Sequence, residues 1–328
     1  MTYGRILRPK FYTDNINFLK INGKAKSDIL TDRAGVYNSG YDVFDLFDLS
    51  PLNKTSFDTS GNTTTHIVIG IDLGDSGVDV DYFALLNHNL ATAEGKIRIA
   101  HSSSAITTAG GGTIVANSVE ILNSTLEGDP EVVAPAADGD TVFSFDSSSD
   151  RYWSIEIQDD TNFSATDLFM GCAMLGEMYT LPYSPDREKP NQFKMDGASI
   201  LEGVGGKRFA GNRWIKGNLE SVSTNYMPFR LDIGAQQLPG RESYSVSYST
   251  IPDTDLMPSN IGAPSGNNLA VNVFSKTGWQ VLPFIITRDS TSTSQGDYMF
   301  CRLMGNSYSF NETHYKVNSL SFTVEAEF

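Results

Sequence analysis

The chain has 328 residues, a length that fits two ordinary domains or one large one. Lys plus Arg total 24 and Asp plus Glu 39, a formal charge of −15, which argues against the clustered cations of a nucleic-acid binder or a basic membrane-surface protein. Hydrophobic residues at 40% and aromatics at 11% suffice for a packed core, so the chain is not globally disordered.

The first residues, MTYGRILRPKFYTDN, hold no apolar run of secretory length, so the sequence predicts no Sec-type leader. Residues 1–40 mix Phe11, Ile16, Phe18, Leu19 and Ile21 with many polar side chains. They are expected to form an arm, either adding a strand to a neighbour or lying in solvent. Strands are predicted at 66–73 (HIVIGIDL), 96–100 (KIRIA), 141–145 (TVFSF) and 152–157 (YWSIEI). The run VDVDYFALLNHNL (78–90) ends at Asn87-His88-Asn89, which reads as a tight turn whose side chains satisfy backbone groups. One short helix is expected at 118–126. Further strands are predicted at 243–248 (SYSVSY), 269–274 (LAVNVF), 281–287 (VLPFIIT), 298–303 (YMFCRL) and 319–328 (SLSFTVEAEF). In the last of these Leu320, Phe322, Val324, Ala326 and Phe328 share one face.

Gly, Ser, Asn and Asp clusters separate these runs, the spacing of antiparallel sandwiches or barrels. Pro182, Pro185 and Pro190 mark a boundary within 182–195. The expected fold is therefore all-β: two β-sandwich or jelly-roll-like domains with long loops, residues 1–185 with the N-terminal arm and residues 186–328. The loops 102–112 and 127–140 exceed the usual ~4–6 residues and are expected to be floppy in a lone subunit, ordering only against neighbours. The longest apolar run, 168–176, is half of what a membrane helix needs.

Catalytic and metal motifs are sparse. The four histidines, His66, His88, His101 and His314, carry no G-x-S-x-G or H-E-x-x-H context. His88 reads as a structural cap, with a ligand role as the alternative. The segment EGVGGKR (202–208) misses the phosphate-loop pattern because Leu201 replaces its first Gly and Arg208 its Ser or Thr. From Asp72 to Asp81 (DLGDSGVDVD) four carboxylates could form a weak calcium site or a solvated turn. Cys172 and Cys301 are either buried free thiols or one long-range disulfide. No cofactor, metal or enzymatic activity is predicted, and no catalytic or binding residue is assigned. Trp214 and Trp279 are candidate stacking platforms for sugar rings, with core roles as the alternative.

Phe83 to Leu90 (FALLNHNL), Arg151 to Asp159 (RYWSIEIQD) and Leu168 to Glu177 (LFMGCAMLGE) together resemble the galactose-binding-like (discoidin-type) jelly rolls found in bacteriophage tail proteins. Pro283 to Ile286 with Cys301 to Leu303 and the alternating tail looks like the closing part of minor or distal tail proteins. The resemblance implies a structural component of a virion tail (tip, baseplate or fibre attachment), assembled in the host cytoplasm. Its partners would be copies of itself and other tail proteins, with neither nucleic acid nor membrane insertion. The alternative is a carbohydrate-binding adsorption protein recognising host surface glycans.

Overall fold

A computed structural model describes residues 7–34, 37–59, 66–74, 78–128, 132–159, 163–164, 166–186, 191–194, 198–202, 208–212, 228–229, 241–258, 266–305 and 309–327. Strands in chain order are β1 (Lys10–Asp14), β2 (Leu30–Ala34), β3 (Thr55–Phe57), β4 (His66–Asp72), β5 (Val80–His88), β6 (Lys96–Ser102) and β7 (Thr113–Ile114). Next come β8 (Val119–Leu122), β9 (Thr125–Glu127), β10 (Val132–Ala134), β11 (Gly139–Ser148), β12 (Tyr152–Gln158), β13 (Leu168–Met170) and β14 (Cys172–Thr180). The remainder are β15 (Asn191–Lys194), β16 (Ala198–Glu202), β17 (Arg208–Asn212), β18 (Arg241–Pro252), β19 (Phe284–Thr287), β20 (Tyr298–Leu303), β21 (Ser309–His314) and β22 (Val317–Ala326).

The all-β expectation holds. A large sheet runs β15-β18-β22-β20-β19-β1-β14-β5-β11-β8, with β21 also paired to β22. A second sheet runs β2-β4-β12-β6-β10-β9, with β7 on β6. The two face each other as a sandwich. Ile67, Ile69, Ile71, Ile97, Ile99, Trp153, Ile155 and Ile157 of the second sheet pack on Phe83, Leu85, Phe143, Phe145, Ala173 and Leu175 of the first. Strand alternation decides these faces. On β12, Trp153, Ile155 and Ile157 point into this core, and Tyr152 belongs to the opposite face with Ser154 and Glu156.

The large sheet is continuous across the proline-rich stretch because of β1. That strand pairs antiparallel with β14 on one side (Phe11↔Tyr179, Thr13↔Glu177) and with β19 on the other (Phe11↔Ile286). Residues 10–34 are therefore no arm: Phe11 and Tyr12 are fully buried, and β2 pairs with β4. Their mixed polarity arises because β1 is followed at once by a helix, α1 (Asn15–Ile21), whose outer side is wet. Gly176 permits the close approach of β1, since a Cβ there would lie 1.9 Å from the Thr13 carbonyl oxygen.

Two local expectations fail. Residues 118–126 form β8 and β9, not a helix. Asn123, with φ of 48°, turns the chain, and its amide donates to the Ala137 carbonyl at 2.7 Å. Residues 270–275 form a π-helical turn, Ala270–Ser275, instead of a strand. Leu269, Val273 and Phe274 sit in the second core, and the Asn268 side chain accepts the Val271 N–H at 3.0 Å. A six-residue apolar run satisfies strand and helix periods alike, so the cap decides. The long loops are also held within the single chain. Ile106 is buried and the Gly110 N–H donates to Glu156 Oε2 at 3.0 Å, while β10 lies inside the second loop. Cys172 and Cys301 are buried free thiols, and burial pushes both well above the ordinary thiol range.

Candidate functional site

One face of the large sheet carries two apolar cores side by side. On β14, Ala173 and Leu175 belong to the sandwich core, whereas Tyr179 belongs to a second core built on Phe11, Phe284, Phe322 and Phe274. Residues 173, 175, 177 and 179 share that face, so Glu177 stands at the seam between the cores. Beside it opens a cleft of about 630 Å³, lined by Phe18, Val78, Asp79, Asp81, Glu177, Met178, Gly266, Asn267, Val271, Asn272 and Lys276. This volume lies within the ~300–1,000 Å³ range of small-ligand sites.

Each wall of the cleft has a local cause. Asp14 caps α1, accepting from the Asn17 N–H at 2.8 Å and the Asn17 amide at 2.8 Å. It also takes the Leu175 N–H at 3.2 Å, which ties the helix to β14 and sets Phe18 over the cleft. Burial raises the Asp14 carboxyl, and these N–H donors pull it partly back. On the opposite wall Lys276 bonds to Glu177 Oε2 and reaches Asn15 Oδ1 at 3.3 Å. Asn272 donates to Asn267 Oδ1 at 2.7 Å, and Thr13 Oγ1 lies 3.4 Å from the Asn272 carbonyl. The π-helical turn is thereby anchored on β1 and β14.

Asp81 is the distinctive group. The β5–β14 pairing ends at Tyr82↔Gly176, and one residue earlier the Asp81 side chain replaces the backbone as acceptor. Its Oδ1 takes the Met178 N–H at 2.8 Å. Its second oxygen has no hydrogen bond among the described residues. Burial pushes this carboxyl up to about 7; the Met178 bond opposes the shift, the Glu177 charge adds to it, and Lys276 and Lys10 oppose it. Neither lysine forms an ion pair with it. Lys276 is held by Glu177, and Lys10 lies over the Tyr12 ring at 6.0 Å, its pKa lowered by burial.

Most residues singled out in the sequence lie elsewhere. Asp72 forms a two-pronged pair with Arg151 at 2.7 and 2.7 Å and accepts the Gly74 N–H, and the Arg151 bond lowers its pKa. Asp75 to Gly77 fall outside the described residues, and no group of three potential metal ligands occurs among those described. His88 is the structural cap expected. Its Nδ1 accepts the Leu90 N–H at 3.2 Å, so Nε2 carries the proton toward Thr141 Oγ1 at 2.8 Å. Asn87 and Asn89 likewise bond the Pro51 and Asp167 carbonyls. His101 meets both Ser148 Oγ (3.2 Å) and Asp150 Oδ2 (2.6 Å) through the same Nδ1, so no serine relay is formed. His66 lies 3.5 Å from Glu156, and His314 ends β21.

Residues 203–207 of the phosphate-loop comparison lie outside the described residues; on either side β16 and β17 pair antiparallel, Glu202↔Arg208, so a strand and not the helix of a phosphate loop comes after them. Trp214 lies outside the described residues. Trp279 is 40% exposed and stacks on Phe274 at 5.5 Å. Among the described residues no helix is long and apolar enough to cross a membrane. The cleft itself escaped the sequence reading. Its signal was a carboxylate in the buried phase of an apolar strand: Glu177 between Leu175 and Tyr179.

No known protein family and no curated protein matches the sequence. Some solved structures resemble part of the fold. Chitosan-binding module 1 of a chitosanase/glucanase from Paenibacillus sp. IK-5 is 15% identical, with 45% of this chain and 93% of that one covered and a TM-score of 0.32. CBM32-1 from a family 31 glycoside hydrolase of Clostridium perfringens is 13% identical, covering 45% and 94%, with a TM-score of 0.31. A GH31 CBM32-2 bound to GalNAc is 10% identical, covering 45% and 95%, with a TM-score of 0.29.

Proposed function

We propose that this chain is a carbohydrate-binding adsorption protein and that the seam cleft is where the glycan sits. The supporting observation is the composition of that cleft. Hydroxyl-rich ligands need acceptors and donors together, and here carboxylates (Asp79, Asp81, Glu177), amides (Asn267, Asn272) and an ammonium (Lys276) converge beside the apolar ring of Phe18. Asp81 keeps an oxygen available, so it can accept from a hydroxyl without breaking a structural bond. The test is a glycan array probed with the full chain, followed by the Asn272→Ala variant. Binding to a defined set of glycans that Asn272→Ala weakens supports the reading; an empty array, or glycan binding indifferent to the cleft, overturns it.

The setting proposed is a bacteriophage tail, with the chain assembling as a homo-oligomer against other tail proteins. This part rests on the sequence resemblance. It is favoured by the β21–β22 hairpin, where Phe310 is 42% and Tyr315 83% exposed. An exposed edge strand carrying solvent-facing aromatics is a surface suited to strand pairing with a neighbour. Sedimentation of the pure chain tests it. Discrete oligomers that dissolve in a Tyr315→Glu variant are expected, and a monomer at all concentrations contradicts it.

A further inference from the structure

The charges lining the cleft do not balance. Asp79, Asp81 and Glu177 face one lysine, and Lys276 is already bonded to Glu177 and Asn15. Asp81 is left as a half-buried carboxylate with one N–H donor, an oxygen without a hydrogen bond and no ion pair among the described residues. Its neighbours from every packed element are Lys10 and Tyr12 of β1, Glu177 of β14 and Lys276 beyond the π-helical turn. The two lysines act on it electrostatically without an ion pair to it, Lys276 being bonded to Glu177, and Glu177 repels it. Burial with a single N–H donor is what disfavours the ionised form here.

We infer that Asp81 makes this cleft select a sugar carrying a free amino group, bound as its ammonium, over the same sugar with that nitrogen acylated or replaced by a hydroxyl. The inference rests on the glycan reading above and adds the class of sugar. An ammonium supplies what neither lysine gives Asp81, a charged donor in direct contact with its second oxygen, through a charge-assisted bond stronger than a hydroxyl gives. Acylation removes the charge and adds bulk at the point of contact. Asn267 and Asn272 remain for the neighbouring hydroxyls, and Lys276 stays bonded to Glu177.

Three tetrasaccharides of one linkage separate these ideas: glucosamine, N-acetylglucosamine and glucose oligomers, titrated calorimetrically into the full chain at neutral pH. The aminated oligomer should bind about tenfold more tightly than the other two. High salt should shrink that margin. In the Asp81→Asn variant, which can still accept the Met178 N–H, the margin should vanish while weak binding of all three persists. Equal binding of the three by the natural chain overturns the inference and leaves the glycan reading standing. A preference that survives Asp81→Asn overturns the assignment to Asp81. Absence of binding by all three, with none on the array, removes both. A circular-dichroism melt of Asp81→Asn shows that any loss is local.

Discussion

A buried and a half-buried carboxylate of this fold stand in opposite surroundings, and the contrast separates architecture from candidate site. Glu156, on β12, is 2% exposed and fully attended. Arg98 donates at 2.7 Å and the Gly110 N–H at 3.0 Å to Oε2, and His66 stands 3.5 Å from Oε1. Asp81, at the end of the β5–β14 pairing, has one backbone donor and faces a cavity. A charge surrounded by donors fixes the elements around it, here the 102–112 loop over the second sheet. A charge left short of donors beside open volume is a place for something else to bind.

The sharpest way to break this comparison is to neutralise each carboxylate in turn. Glu156→Gln leaves the Arg98 guanidinium buried without its counter-charge and should cost about 3–5 kcal/mol by urea denaturation. A cost near zero would place Glu156 among the sites rather than the supports. His88 extends the test to acid. Its ring is buried, and burial lowers its pKa from 6.5 to about 3. The unfolded chain therefore binds the extra proton first, and stability falls as pH drops below 6.5. Two pH units lower, the loss from this one group should be about 2–3 kcal/mol, and the steepness should vanish in His88→Asn.

Gly176→Ala comes next, because the added methyl meets the Thr13 carbonyl; a loss of ~1–3 kcal/mol is expected, with β1 amides exchanging faster. Asp81→Asn acts in the opposite sense and only away from acid. The folded state holds the Asp81 proton more tightly than the unfolded chain, so its ionisation destabilises the fold as pH rises from 3.8 through about 7. The variant should match the natural chain in acid and be the more stable in alkali, the gap opening as pH rises through about 7. Equal stability at every pH would mean that Asp81 is not desolvated.

Sequence pattern reaches the sheets well and the cleft poorly. Alternation locates β4, β6, β12, β20 and β22 because each has one face in a core, and the Asn87-His88-Asn89 cap is legible because three polar side chains interrupt an apolar run. The pattern fails where a short apolar run meets an unforeseen cap, as at Asn268, and where β-branched Val119 and Ile121 are read as helix. It fails at β1 for another reason: five residues cannot announce that they pair on both sides. The cleft joins α1, β5, β14 and the 266–276 segment, and no local window contains that meeting. Only Glu177, polar in a buried phase, hints at it.

Crystals of the chain soaked with an oligosaccharide taken from the array test the central claim most directly. The sugar is expected in the cleft, with a polar group against Asp81 Oδ2 and others near Asn267 and Asn272. A glycan bound firmly elsewhere on the molecule, with the cleft holding only water, would contradict it.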